Sequence, residues 1–166
     1  DAFATAQVLA AAIRKAGGFD LILCGRQASD YDQALVAMGV AEILGIPAVS
    51  MAKRVEVQDG KVIVDRVMPD GHDTVELPLP ALVTVTNELG QPRYPNLRGI
   101  MAASRKQPTT WSLGDLGLDA SATEPKVEIM EIFVPTKELV CEYIEGDDDE
   151  EKGRNLALKL REAKLI

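Results

Sequence analysis

The chain has 166 residues, 46% of them apolar and 27% charged, with a formal net charge of −8. That length suits one domain with an appendage, no stretch approaches the ~20 apolar residues of a membrane-spanning helix, and an acidic chain with no Lys/Arg stripe is repelled by a nucleic-acid backbone. Aromatic residues are only 4%, so the core must be aliphatic, as in parallel strands covered by helices.

The chain opens on a helical pattern. Ala2, Ala6, Leu9, Ile13 and Ala16 fall on one face, and Gly17-Gly18 ends the helix. A helix that feeds a buried strand usually follows another strand, and residue 1 is Asp, so the expectation is that residues are missing upstream. Phe19 to Cys24 reads as a buried parallel strand. Gly25 to Asp32 is a polar loop, Gln33 to Leu44 a helix, and Ala48 to Met51 the start of the next strand. This alternation predicts an α/β domain.

Then the rhythm changes. Val55-Glu56-Val57 and Val62-Ile63-Val64 flank Asp59-Gly60, a strong hairpin signal. Pro69-Asp70-Gly71 makes a second turn before Thr74 to Leu77, and Ala81 to Val85 returns as an apolar strand. Asn87 to Asn96 is a polar loop, Asn96 caps a short helix from Leu97 to about Ser104, and Thr109 to Trp111 is expected as one more strand. Gly114 to Pro125 reads as a boundary, dividing a domain over residues 1–120 from an extension over 121–166. That extension runs through Val127 to Pro135 and ends in a helix with a narrow stripe of Leu156, Leu160 and Ala163, an arm that packs on its own domain or on another chain.

The loop Gly25-Arg26-Gln27-Ala28-Ser29-Asp30-Tyr31-Asp32 carries the most chemistry. Open α/β sheets bind ligands at the carboxyl ends of their strands, and a helix N-terminus offers N–H groups to a phosphate. Gly25 permits close approach, Arg26 adds a cation, Gln27 can bond a base or ribose, and Asp30 or Asp32 can cap the helix or take a ribose hydroxyl. A plain strand-to-helix turn with an Asp cap explains the same residues about as well, and the loop is neither a Walker A loop nor GxGxxG. His72 reads as an exposed turn residue, and the acids from Asp147 to Glu151 as a solvated helix start rather than a metal site. Cys24 and Cys141 read as reduced thiols of a cytoplasmic protein. There is no GxSxG elbow and no HExxH, which suits a protein whose chemistry belongs to a bound cofactor.

Four segments carry a resemblance. Asp20 to Asp30 is similar to the "DLIL-x-G-K-Q-A-x-D" segment of electron-transfer flavoprotein beta subunits, and Leu79 to Val85 resembles their "LPAVVT". Pro92 to Met101 resembles their "PRY-x-x-L-x-x-IM" run, and Trp111 to Gly117 the end of their domain. The segments come in the family's order and span essentially the whole chain. The resemblance implies a doubly wound, mainly parallel, Rossmann-like α/β domain with an antiparallel hairpin excursion and a C-terminal helical arm. It implies a heterodimer with an alpha subunit that carries FAD, and a site for AMP or a second FAD in this subunit.

On that resemblance the site starts at Gly25 and uses Arg26, Gln27, Ala28, Ser29, Asp30, Tyr31, Asp32, Gln33, Ala34, Leu35, Val36 and Ala37. Arg93, Tyr94, Leu97, Ile100 and Met101 fall in the segment that docks acyl-CoA-type or other dehydrogenases, with Leu97 as the apolar anchor. Pro95 to Met101 and Trp111 look closer to the electron-bifurcating members. The chain departs from the pattern at Leu35 and Ala37, where the family usually has Gln and Gly, and losing that amide and glycine weakens phosphate binding. The role implied is an electron carrier rather than an enzyme with its own substrate. A non-redox, stress-protein-like nucleotide sensor is the alternative, and a hydrolase or ligase on the same sheet ranks last.

Overall fold

Helix α1 (Ala2–Lys15) starts where Asp1 caps it: the carboxylate accepts the Ala4 N–H at 2.9 Å, satisfying a donor that a helix N-terminus leaves free. The other carboxylate oxygen accepts the N–H groups of Lys126 and Val127, which ties that distant stretch to the start of the helix. Gly17 and Gly18, at φ 108° and 76°, turn the chain out of α1. The computed structural model describes residues 1–136 and 141–166, which form two compact units, Asp1–Glu128 and Ile129–Ile166.

The first unit is built on strands β1 (Leu21–Gly25), β2 (Ala48–Gln58), β3 (Lys61–Met68), β4 (Gly71–Pro78) and β5 (Ala81–Val85), in the order β1-β5-β2-β3-β4. β1, β5 and β2 run parallel, while β3 and β4 continue the sheet antiparallel. This is the Rossmann-like α/β class with the expected hairpin excursion. Asp59 and Gly60 adopt φ 50° and 78°, the left-handed pair that a tight hairpin demands.

Helix α2 (Leu35–Leu44) lies with α1 on one face of the sheet, where Ala6, Ala10, Ala37, Val40, Ala41 and Leu82 form a core. Small residues let the two helices approach closely: a Cβ added at Gly39 would stand 2.9 Å from that of Ala6. On the other face, Val49, Ala52, Val62, Val64, Ala81 and Val83 form a second core, whose surroundings are strand and strand-end residues. Each buried Val or Leu contributes roughly 1.5–3 kcal/mol by leaving water, and each Ala less.

Several local expectations change. β1 is an edge strand rather than one buried on both faces: helices cover one side of it, and Leu23 is 53% exposed. β2 is one strand of 11 residues where the sequence reads as two. It changes direction through bulges: Ser50 and Met51 together stand against Thr84, and Lys53 is an extra residue against β3. Thr109 to Trp111 forms no strand. Trp111 is half-buried, with the Lys15 ammonium 5.6 Å from its ring centroid, and packing of this kind requires no ladder. The loop after β5 begins with a 3₁₀ turn at Asn87–Leu89.

In the second unit, helix α4 (Asp149–Glu162) begins at a reciprocal cap. Asp148 accepts the Glu151 N–H at 2.8 Å, and Glu151 accepts the Asp147 N–H at 2.8 Å, as in a capping box. The acidic run is therefore a helix start, and among the described residues no cluster could hold a metal. No described residue of this unit is buried within it. No helix among the described residues is long and apolar enough to cross a membrane.

Candidate functional site

The carboxyl ends of β1 and β5 stand in one row with Ala52, where β2 passes from pairing β5 to pairing β3. Gly25 ends β1 opposite Val85 of β5, Val85 pairs with Ala52 of β2, and Ala52 pairs with Arg66 of β3. With strands spaced at about 4.8 Å, the row spans about 14 Å. The loop from Arg26 to Ala34 leaves one end of it and delivers the chain to α2.

That loop is braced by its own side chains. Arg26 donates from Nε to Gln27 Oε1 at 3.1 Å, and Gln27 donates from Nε2 to Asp32 Oδ1 at 2.7 Å. Asp30 accepts the Tyr31 N–H at 2.8 Å, and the Asp32 N–H donates to the Ala28 carbonyl at 3.1 Å. Neither aspartate caps α2. Asp32 and Ala34 are left-handed, at φ 50° and 54°, and this steep entry starts the helix at Leu35 rather than Gln33. No side chain caps the helix, so its first N–H groups remain available to a ligand.

The predicted residues divide by environment. Arg26, Ala28, Ser29, Asp30, Tyr31, Asp32, Gln33, Ala34 and Leu35 are exposed, Gln27 and Val36 half-buried, and Ala37 buried against α1. The Arg26 Nη groups make no hydrogen bond or salt bridge among the described residues. Beside Gly25, burial raises the Cys24 thiol above its ordinary value, so it stays protonated and is a poor nucleophile.

Arg66 is the residue that sequence reasoning missed. Its Nε is buried and has no hydrogen-bond partner, an exception among buried polar atoms that calls for an explanation. By strand alternation it shares the face of Val62 and Val64. The sequence signal was faint: one of three charged residues, beside Asp65, in a strand otherwise made of Val, Ile and Met.

Further along, helix α3 (Leu97–Ser104) has no buried residue, and Asn96 caps it by accepting the Gly99 N–H at 2.8 Å. Tyr94 is 99% exposed, Leu97 73%, Ile100 52% and Met101 49%. Arg93 is exposed beside them. So much apolar surface on one short element is unusual unless something covers it.

The residues fit a phosphate-bearing nucleotide in part. The uncapped start of α2, the free Arg26 Nη groups and the orphaned Arg66 Nε all favour an anion. Asp30 and Asp32 are satisfied within the loop instead of pointing freely at one.

The profile of the family described as "Electron transfer flavoprotein domain" matches residues 1–116. The chain is 37% identical, over 169 residues, to the "Caffeyl-CoA reductase-Etf complex subunit CarD" of Acetobacterium woodii, covering 100% of this chain and 64% of that protein. It is 35% identical, over 170 residues, to the "Electron transfer flavoprotein subunit beta" of Thermoanaerobacterium thermosaccharolyticum, covering 100% of this chain and 65% of that one. The chain thus spans a little under two thirds of the length of these curated relatives. With the profile match over most of its length, the chain belongs to the electron transfer flavoprotein domain family.

Proposed function

We propose that this chain works as the beta subunit of a heterodimeric electron-transfer flavoprotein, binding a nucleotide at the β1–α2 loop and passing electrons between a dehydrogenase and another acceptor. The observation that carries the reading, beside the family, is the uncapped start of α2 at the carboxyl end of the parallel strands. Bound flavin supplies the redox chemistry, and this chain binds, orients and docks. Arg26 and the α2 N–H groups hold phosphate. Gln27 and Asp32, already linked to each other, exchange that bond for contacts to ribose or base. Arg66 faces a second anionic or electron-rich group at the far end of the row. AMP or a second FAD occupies the loop, and the first FAD is carried by the alpha subunit.

The Leu97–Met101 surface docks the redox partner. A small, exposed apolar patch on a short helix suits a brief encounter. One relative is named for a reductase complex, which favours a partner acting on acyl-CoA-type substrates.

Equilibrium binding of AMP and FAD to the full-length heterodimer tests the loop. Replacing Arg26 with Gln should weaken binding about tenfold, since a charged hydrogen bond contributes roughly 1.5–3 kcal/mol. Unchanged affinity would move the site elsewhere. Leu97→Ala should slow electron exchange with the dehydrogenase and leave flavin content intact; an unchanged rate would remove α3 from the docking surface.

A further inference from the structure

The parallel and antiparallel halves of the sheet are joined by a strained stretch of β2. Met51 sits at φ 62°, a left-handed conformation that a non-glycine residue holds only when its surroundings impose it. The bulge against β5 and the bulge against β3 both fall between Val49 and Arg54. Bulges gather beside functional sites, where they re-aim a strand.

One side chain accounts for the strain. Thr84 is only 2% exposed and belongs to neither apolar core. Its hydroxyl accepts the Met51 N–H at 3.0 Å, satisfying a donor that the bulge removes from the ladder. Just past Met51, Ala52 meets Val85 on one side and Arg66 on the other, and its carbonyl accepts the Thr86 N–H at 3.3 Å. A one-residue slip here would bring Asp65 or Val67 into the row in place of Arg66 and invert the face each side chain occupies.

We propose that Thr84 is a positioning residue of the nucleotide site: by holding Met51 left-handed, it fixes the register that brings Arg66 into the row beginning at Gly25. The proposal rests on the nucleotide-binding reading above.

The test uses the full-length protein with its partner subunit. Thr84→Val removes the acceptor at nearly constant volume, Thr84→Ser restores it, and Met51→Gly adopts the left-handed conformation without strain. Three quantities are read: affinity for AMP and FAD, the ¹⁵N resonance of Arg66 Nε, and the thermal midpoint. Thr84→Val should weaken nucleotide binding about tenfold and displace the Arg66 resonance. Thr84→Ser should recover both, even if its midpoint stays lowered, and Met51→Gly should match the wild type in both. A Thr84→Val protein that loses only thermal stability would overturn the proposal, as would a Thr84→Ser protein that fails to recover. Should the wild type bind neither nucleotide, the nucleotide reading falls and the proposal with it. An unaltered Thr84→Val in a wild type that does bind condemns the proposal alone.

Discussion

Arg26, Gln27 and Asp32 form a chain of side-chain bonds that the proposed nucleotide would have to break or reuse. The sequence made these residues candidates because they sit between a strand and a helix, but it could not decide whether an aspartate would cap the helix. The left-handed turns at Asp32 and Ala34 decide it: Ala34 takes the cap position of α2, and Asp32 bonds Gln27 instead. Gly39 shows the same limit. In the sequence it is one small helical residue among several, and only the approach of α1 reveals that Gly39→Ala would place two Cβ atoms 2.9 Å apart. Such overpacking should cost about 1–3 kcal/mol, measured as a shift in the denaturation midpoint; an unshifted midpoint would mean the helices part freely. Three hydrogen-bonded carboxylates, Asp65 buried and Asp115 and Asp119 exposed, yield a pH effect. Thr74 lowers Asp65, the Ser112 N–H and hydroxyl lower Asp115, and Ser121 lowers Asp119, each from an ordinary value of 3.8. A carboxyl group depressed in the folded state contributes stability that is full above its unfolded value and is lost as pH falls through the folded one. Acid titration of the folded protein should therefore show stability declining below about 3.8, and Asp115→Asn should flatten that decline.

At the scale of elements, the readable features were those set by nearby residues. The Asp59-Gly60 hairpin and the Asn96 cap each depend on a few adjacent positions, and both stand where the sequence put them. The continuity of β2 was not readable, because its bulge is held by Thr84, 33 residues away. Trp111 likewise takes its place from Lys15 on α1, not from a strand of its own. Helix α3 has a cap and no buried face, so local bonds hold it together. Asn96→Ala should cost about 1 kcal/mol of helix stability without moving the global midpoint. Hydrogen exchange at Gly99 and Ile100 would then accelerate, and docking would weaken with it. Unchanged exchange would show that α3 does not depend on its cap.

At the scale of the molecule, the α/β order and aliphatic composition were enough to name the fold, since a parallel core needs long-range pairing but leaves a local alternation of strand and helix. The function was less legible: among the described residues the chain shows an uncapped helix start at a strand end and an uncovered apolar helix. The function proposed above accounts for that pattern by a division of labour, in which the redox group would be shared across subunits and this chain would supply nucleotide binding and docking. The most direct test is to purify the full-length protein with its neighbouring subunit, record its visible spectrum, and identify the nucleotides released by heat. The expected result is a flavin spectrum and a co-purifying subunit, with either FAD and AMP or two FAD per heterodimer. A colourless protein that recruits no partner subunit and releases no flavin would contradict it.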